Sequence, residues 1–123
     1  MSRLIHKSVE EIERNRVYFA KAFATMYGCI VVLKGANTVI ASPDGRVFVN
    51  TTGNSGLAVS GSGDVLAGMI VSLLAQGYSP LTAAMGSVYL HGAAADNAVK
   101  RISQAALLPS DVIEELRNGG YLL

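Results

Sequence analysis

The run Asn50–Gly68, NTTGNSGLAVSGSGDVLAG, passes from a polar, glycine-rich stretch directly into an apolar one. That junction calls for a tight loop seated on a helix N-terminus. Gly61, Ser62 and Gly63 can turn their backbone N–H groups inward, because glycine tolerates dihedrals that other residues avoid, and the helix that follows adds the positive end of its dipole. Such a loop suits a phosphate. Asp64 falls on the first turn of the same helix, where its negative charge would repel a phosphate unless the chemistry there needs a base or a metal contact. The plain alternative is an ordinary helix start, with Asp64 favouring the dipole and the glycines only turning the chain. The spacing Gly-x-Gly-Asp followed by Val65-Leu66-Ala67-Gly68 favours the anion loop. Neither common nucleotide motif fits, since a dinucleotide fingerprint needs a third glycine at Leu66 and a P-loop needs Lys-Ser or Lys-Thr after its last glycine.

With 123 residues the chain can bury one modest core, and it reads as a single domain. Half of it is apolar and 15% is charged, against roughly 25% charged in typical soluble domains. The excess apolar surface calls for a buried helix or an interface rather than a membrane span, because Gly68 and Ser72 interrupt Val65–Leu74 and Gln76-Gly77 closes it. A formal charge of +1 with interleaved signs gives no footprint for nucleic acid or an anionic membrane. The N-terminus carries no secretory pattern and one cysteine forms no internal disulfide, which together imply a cytoplasmic setting.

Local signals order the chain as helix, strands, then helices. Ser8 and Glu11 form a capping-box pattern, and Val9, Ile12, Val17, Phe19, Ala20, Phe23 and Ala24 supply apolar positions for one helix ending near Gly28. Cys29–Leu33 is a continuous β-branched run of the kind buried in a central sheet. Thr38–Ala41 and Arg46–Val49 flank Pro43-Asp44-Gly45 as a hairpin. Asp64–Gln76 reads as a helix apolar on nearly all sides, Pro80 opens a second helix reaching about Lys100, and Pro109–Leu116 forms a third.

Several polar residues admit two readings. Lys34–Thr38 follows the first strand, and on composition alone it is a solvated turn. His91 sits in an apolar helix with no second histidine at metal-ligand spacing, so a packed or capping role is assigned. Cys29 is a buried strand residue. Asn54, between Gly53 and Gly56, stays open between a turn residue and a ligand contact.

These segments together resemble the ribokinase-like kinases, and among them the ADP- or ATP-dependent NAD(P)H-hydrate dehydratases, the carbohydrate-kinase domain of YjeF-type proteins. The residues that carry the resemblance are Val31–Ile40 with its Lys34-Gly35-Ala36-Asn37-Thr38 core, Pro43-Asp44-Gly45, Thr52–Gly68, Tyr89-Leu90-His91-Gly92 and Ser110-Asp111-Val112-Ile113. The resemblance implies an α/β fold, the C-terminal half of a three-layer α/β/α ribokinase-like domain. Met1 then corresponds to an internal position of the family, and the chain to a fragment, a mis-assigned start or a short natural form. The sequence departs from the family at Ser55, Leu57, Val59 and Ser60, where Pro, Met, Thr and Gly or Ala are common.

What the resemblance implies chemically is repair of hydrated NADH or NADPH, with ADP or ATP as phosphoryl donor and Mg²⁺ offsetting the phosphate charge. Asp64 becomes the catalytic base, Lys34, Gly35, Ala36, Asn37, Thr38 and Gly63 the nucleotide contacts, and Gly61, Ser62 and Gly63 the anion hole. No residue is assigned as a protein-only metal ligand. Two other functions share these parts: a kinase for a small alcohol, and a non-catalytic interaction subunit. A homo-oligomer is expected in either case, because the uncovered apolar surface and strand edges need a partner.

Overall fold

The computed structural model describes residues 1–119, which divide into two compact units, Met1–Asn50 and a second beginning at Thr51. The first unit carries α1 (Ser2–Ile5), α2 (Val9–Arg14), α3 (Arg16–Tyr27) and three strands, β1 (Val31–Leu33), β2 (Val39–Ala41) and β3 (Val47–Val49). The strands form an antiparallel meander with β2 in the middle. Alternation along β2 sends Val39 and Ala41 to one face, where they join Ala20, Ala24 and Val31 in a core roofed by α3. Alanine at 20 and 24, both without exposed surface, lets the helix backbone lie close to the sheet.

Ser8 caps α2 as its pattern predicts, its hydroxyl accepting the Glu11 N–H at 3.1 Å. The single helix expected from Val9 to Gly28 is instead broken at Asn15, whose φ of −140° and ψ of 47° are not helical. The break turns the apolar stripe. Ile12, Ala20 and Ala24 are buried while Val9 and Val17 are exposed, so two residues assigned to the core lie outside it. Gly28 ends α3 in the left-handed region at φ 63°. Cys29–Leu33 was expected to be a central buried strand. It shortens to Val31–Leu33 at the edge of the meander, where only Val31 is buried and Cys29 is half-buried.

The hairpin between β2 and β3 follows the Pro43-Asp44-Gly45 signal. Gly45 takes φ 93°, and Asp44 accepts the backbone N–H of Arg46 at 3.1 Å and its Nε at 2.8 Å. The backbone hydrogen bond from Arg46, reinforced by its side chain, holds the Asp44 carboxyl below the usual carboxylate range.

The second unit contains α4 (Ser62–Ala75), α5 (Pro80–Ala98) and α6 (Pro109–Asn118), with short 3₁₀ turns at Ser55–Leu57 and Gln104–Ala106. Ser79 caps α5 by accepting the Thr82 N–H, and Pro80 stands at its first turn. Helix α5 packs against both α4 and α6. Its small buried residues, Ala94, Ala95 and Ala98, meet Leu107 and Val112. Helix α4 is less buried than its composition suggests: Ser62, Leu66 and Leu73 are covered, whereas Val71 and Leu74 are 63% and 41% exposed. No helix among the described residues is long and apolar enough to cross a membrane.

One carboxylate is buried between α5 and α6. Glu115 accepts Asn97 Nδ2 on one oxygen and pairs with Arg101 on the other; its side chain is 8% exposed and that of Arg101 63%. Glu115→Ala is expected to lower the free energy of unfolding by about 1–3 kcal/mol, because Asn97 loses its acceptor inside the helix pair. Arg101→Ala removes a solvated partner and is expected to cost under about 1 kcal/mol. Urea titration of both variants checks the order, and equal losses would show that the Arg101 pair, not Asn97, anchors the carboxylate.

Candidate functional site

Lys34, Gly35, Ala36 and Asn37 form the exposed connection between β1 and β2, and Thr38 enters β2 half-buried. Thr38 closes the turn on itself: its Oγ1 accepts the Gly35 N–H at 3.4 Å and lies 3.3 Å from the Gly35 carbonyl, to which it can donate. The main restraint comes from α3. Arg16 Nη2 donates to the Leu33 carbonyl at 2.9 Å and Nη1 to the Asn37 carbonyl at 3.1 Å. The guanidinium lies against Gly35, where an added Cβ would come within 2.7 Å of Arg16 Cζ. Lys34 makes no ion pair among the described residues, which leaves its ammonium available to an anion. A groove of about 550 Å³ runs beside this turn, with Arg14, Arg16, Tyr18, Asn37, Val39 and Val49 on its walls.

In the second unit, Gly61 is the N-cap of α4 with φ 94°, a conformation that favours glycine, and Ser62, Gly63 and Asp64 make up the first turn. No side chain caps this end. The N–H groups of Gly63 and Asp64 have no backbone acceptor outside the helix among the described residues, so the helix start is open to an anion. Ser62 departs from the expected anion hole. Its N–H already donates to the Val59 carbonyl at 3.2 Å and its side chain is packed inward. The donors at hand are therefore those of Gly63 and Asp64. The Asp64 carboxylate is exposed on the same turn, in reach of whatever sits at the helix end.

Asn54 resolves toward the turn reading. Its Oδ1 accepts the Gly56 N–H and its Nδ2 donates to Asp96, both at 2.9 Å, so the amide is engaged within the protein at both ends. Asp96 on α5 also accepts the Gly53 N–H at 2.9 Å. The same loop is tied to α5 by Thr52 Oγ1 donating to the Tyr89 carbonyl. Gly92 gives it room, since a Cβ there would stand 2.7 Å from the Thr52 carbonyl carbon and 2.8 Å from Gly53 N. His91 is buried at 6% exposure in α5, in keeping with a packed role. Sequence reasoning missed Arg16, Asp96 and Gly92. A lone acid in the alanine-rich stretch 93–98 was the available signal for Asp96; nothing local distinguished Arg16 from Arg14.

A family model described as Carb_kinase, NAD(P)H-hydrate dehydratase, matches residues 1–118. The chain belongs to this family. Similar proteins include the bifunctional NAD(P)H-hydrate repair enzyme Nnr of Moorella thermoacetica, 44% identical over 94% of this chain and 22% of that protein. An ADP-dependent (S)-NAD(P)H-hydrate dehydratase of Neisseria meningitidis is 47% identical over 77% of this chain and 32% of its own length. The fold is that of a Bacillus subtilis ADP/ATP-dependent NAD(P)H-hydrate dehydratase co-crystallized with ATP/Mg2+ and soaked with CoA. The TM-score is 0.90 at 39% identity, covering 94% of this chain and 43% of that one. The chain thus spans less than half the length of these relatives, within the α/β fold they share.

The Asp96 contacts carry a direct expectation for the loop before the helix start. Asp96→Ala strands the Gly53 N–H and the Asn54 amide and is expected to cost about 1–3 kcal/mol of stability, with faster amide exchange at Gly53 and Gly56. Asp96→Asn, which keeps one acceptor, should lose less. Unchanged exchange at Gly53 in the alanine variant would show that Thr52 and Gly92 alone hold the loop.

Proposed function

We propose that this chain, read as one partial ribokinase-like domain, supplies the nucleotide-binding and phosphoryl-transfer segments of an ADP- or ATP-dependent NAD(P)H-hydrate dehydratase. The observation that carries this reading is the uncapped start of α4, with free N–H groups at Gly63 and Asp64 and a carboxylate on the same turn. Lys34, Gly35, Ala36, Asn37 and Thr38 contact the adenine nucleotide, and Gly61 and Gly63 let its phosphates approach the backbone. The relatives' names, ADP-dependent dehydratase and an ATP/Mg2+ co-crystal, support the choice of nucleotide.

In this mechanism the hydrated nicotinamide ring presents a hydroxyl to Asp64, which takes its proton as the oxygen attacks the terminal phosphorus of the nucleotide; the bond from that phosphorus to the bridging oxygen breaks, and AMP leaves from ADP or ADP from ATP. The Gly63 and Asp64 N–H groups stabilise charge on the transferring phosphoryl oxygens. Loss of the phosphate from the ring, together with a proton from the neighbouring ring carbon, then restores the double bond. Among the described residues no cluster of three or more His, Cys, Asp or Glu could cage a metal, so the fit is to Mg²⁺ carried by the nucleotide phosphates, with Asp64 as the nearby carboxylate. There it would neutralise phosphate charge.

Incubating the chain with hydrated NADH, ADP or ATP and Mg²⁺, and following the return of reduced-nicotinamide absorbance, tests the activity. Asp64→Asn is expected to reduce turnover by about 10²–10⁴-fold while nucleotide affinity is retained or slightly improved, since the amide cannot accept the proton and no longer repels phosphate. Full turnover by that variant would make Asp64 an ordinary helix-start residue. Calorimetry with ADP should show binding lost in Gly63→Val, whose branched side chain blocks the backbone. Normal turnover with a small alcohol in place of hydrated NADH would favour the kinase reading.

The exposed apolar side chains Val71 and Leu74 on α4 favour an additional role in association, with a second copy as the partner. A dimer is the expected species in light scattering over a wide dilution range. A soluble monomer at low micromolar concentration would refute the association.

A further inference from the structure

We propose that Arg16 is the positioning residue of the Lys34–Thr38 nucleotide segment; this rests on the nucleotide reading above. The turn between β1 and β2 lacks a ladder of its own, and an unrestrained loop would have to be ordered when the ligand arrives. Arg16 removes that requirement. Its two terminal nitrogens donate to the carbonyls of Leu33 and Asn37, one at each end of the turn. A planar fork can hold two such acceptors at once, whereas an ammonium is a single point. The guanidinium side chain is 14% exposed, and its Nε lies 3.9 Å from Glu13.

Two further observations assign the same purpose. Gly35 has no positive φ, so conformation does not explain a glycine there; the guanidinium lies against its Cα, and a Cβ there would push it off the two carbonyls it holds. The interruption of the helix at Asn15 makes Arg16 the first residue of α3. Continuing α2 without a break would change the direction in which residue 16 projects by altering the backbone at the preceding residue. Break, arginine and glycine therefore form one device, which holds the carbonyls at both ends of the turn from inside the protein and leaves Lys34 exposed.

The experiment compares the intact chain with Arg16→Lys, which keeps the charge and the aliphatic stem, and with Arg3→Lys, which alters an exposed arginine that does not line the groove. Amide exchange reads the order of Gly35–Thr38, calorimetry with ADP reads affinity, and urea titration reads global stability. Arg16→Lys is expected to speed exchange at Gly35–Thr38 selectively and to weaken ADP by about tenfold or more, while Arg3→Lys matches the wild type in both. Wild-type exchange rates at these amides in Arg16→Lys would overturn the proposal. A loosened turn with unchanged ADP affinity would also overturn it, reducing Arg16 to a structural brace. Failure of the wild-type chain itself to bind ADP is a distinct result: it would remove the nucleotide reading, and the positioning role with it.

Discussion

Backbone groups in a loop have no helix or strand ladder to satisfy them, and charged side chains on helices do so for the Lys34–Thr38 turn and for the loop at Gly53. Arg16 donates to carbonyls on either side of the Lys34–Thr38 turn, and Asp96 accepts the Gly53 N–H together with the Asn54 amide. The signs are complementary, a cation for carbonyls and an anion for N–H groups. Hydrogen bonds to charged groups contribute about 1.5–3 kcal/mol each, which is comparable to the conformational entropy of fixing one or two loop residues.

The parts of the fold that were legible in the sequence are those governed by neighbours along the chain. Ser8 caps a helix, Pro80 and Pro109 open two more, Gly28 closes one, and Pro43-Asp44-Gly45 turns the hairpin. The parts that were not legible depend on partners far away. Arg16 meets Leu33 seventeen residues on, and Asp96 reaches back 43 residues to Gly53. Residue type alone says that such a side chain is charged, not what it holds. Asn15 is a case between the two: asparagine is a poor helix residue, yet the apolar positions on both sides fit one continuous stripe, and that stripe outweighed the local signal.

The candidate site divides in the same way. The start of a helix beside Gly61 and Asp64 was legible because a helix N-terminus is a local construction, and Gly61 takes a left-handed φ there. Ser62 differs from what the motif leads one to expect. The motif places its N–H toward an anion, while the preceding turn gives that N–H to the Val59 carbonyl. Val59 is one of the positions where the chain departs from the family pattern, but the contact uses its backbone, so the lost hydroxyl of a threonine does not account for it.

Glycine serves three separate physical purposes here, and separating them changes what each motif residue is evidence for. Gly61 supplies a backbone conformation, Gly92 permits a loop to approach the middle of a helix, and Gly35 makes space for a guanidinium. Gly92 does so against a helix propensity penalty of about 1 kcal/mol relative to alanine, so close packing of the Thr52–Gly53 loop must outweigh it. At Gly35 the requirement is met by Arg16 within the protein. The glycine in Lys34-Gly35-Ala36-Asn37-Thr38 therefore carries no independent weight as a ligand contact, and the case for the turn rests on Lys34, on Thr38 and on the family resemblance. At the start of α4 the balance is reversed: Gly61 supplies a left-handed conformation, and the N–H groups of Gly63 and Asp64 have no backbone acceptor outside the helix among the described residues. Of the two segments, the helix start is where physical chemistry alone argues for an anion.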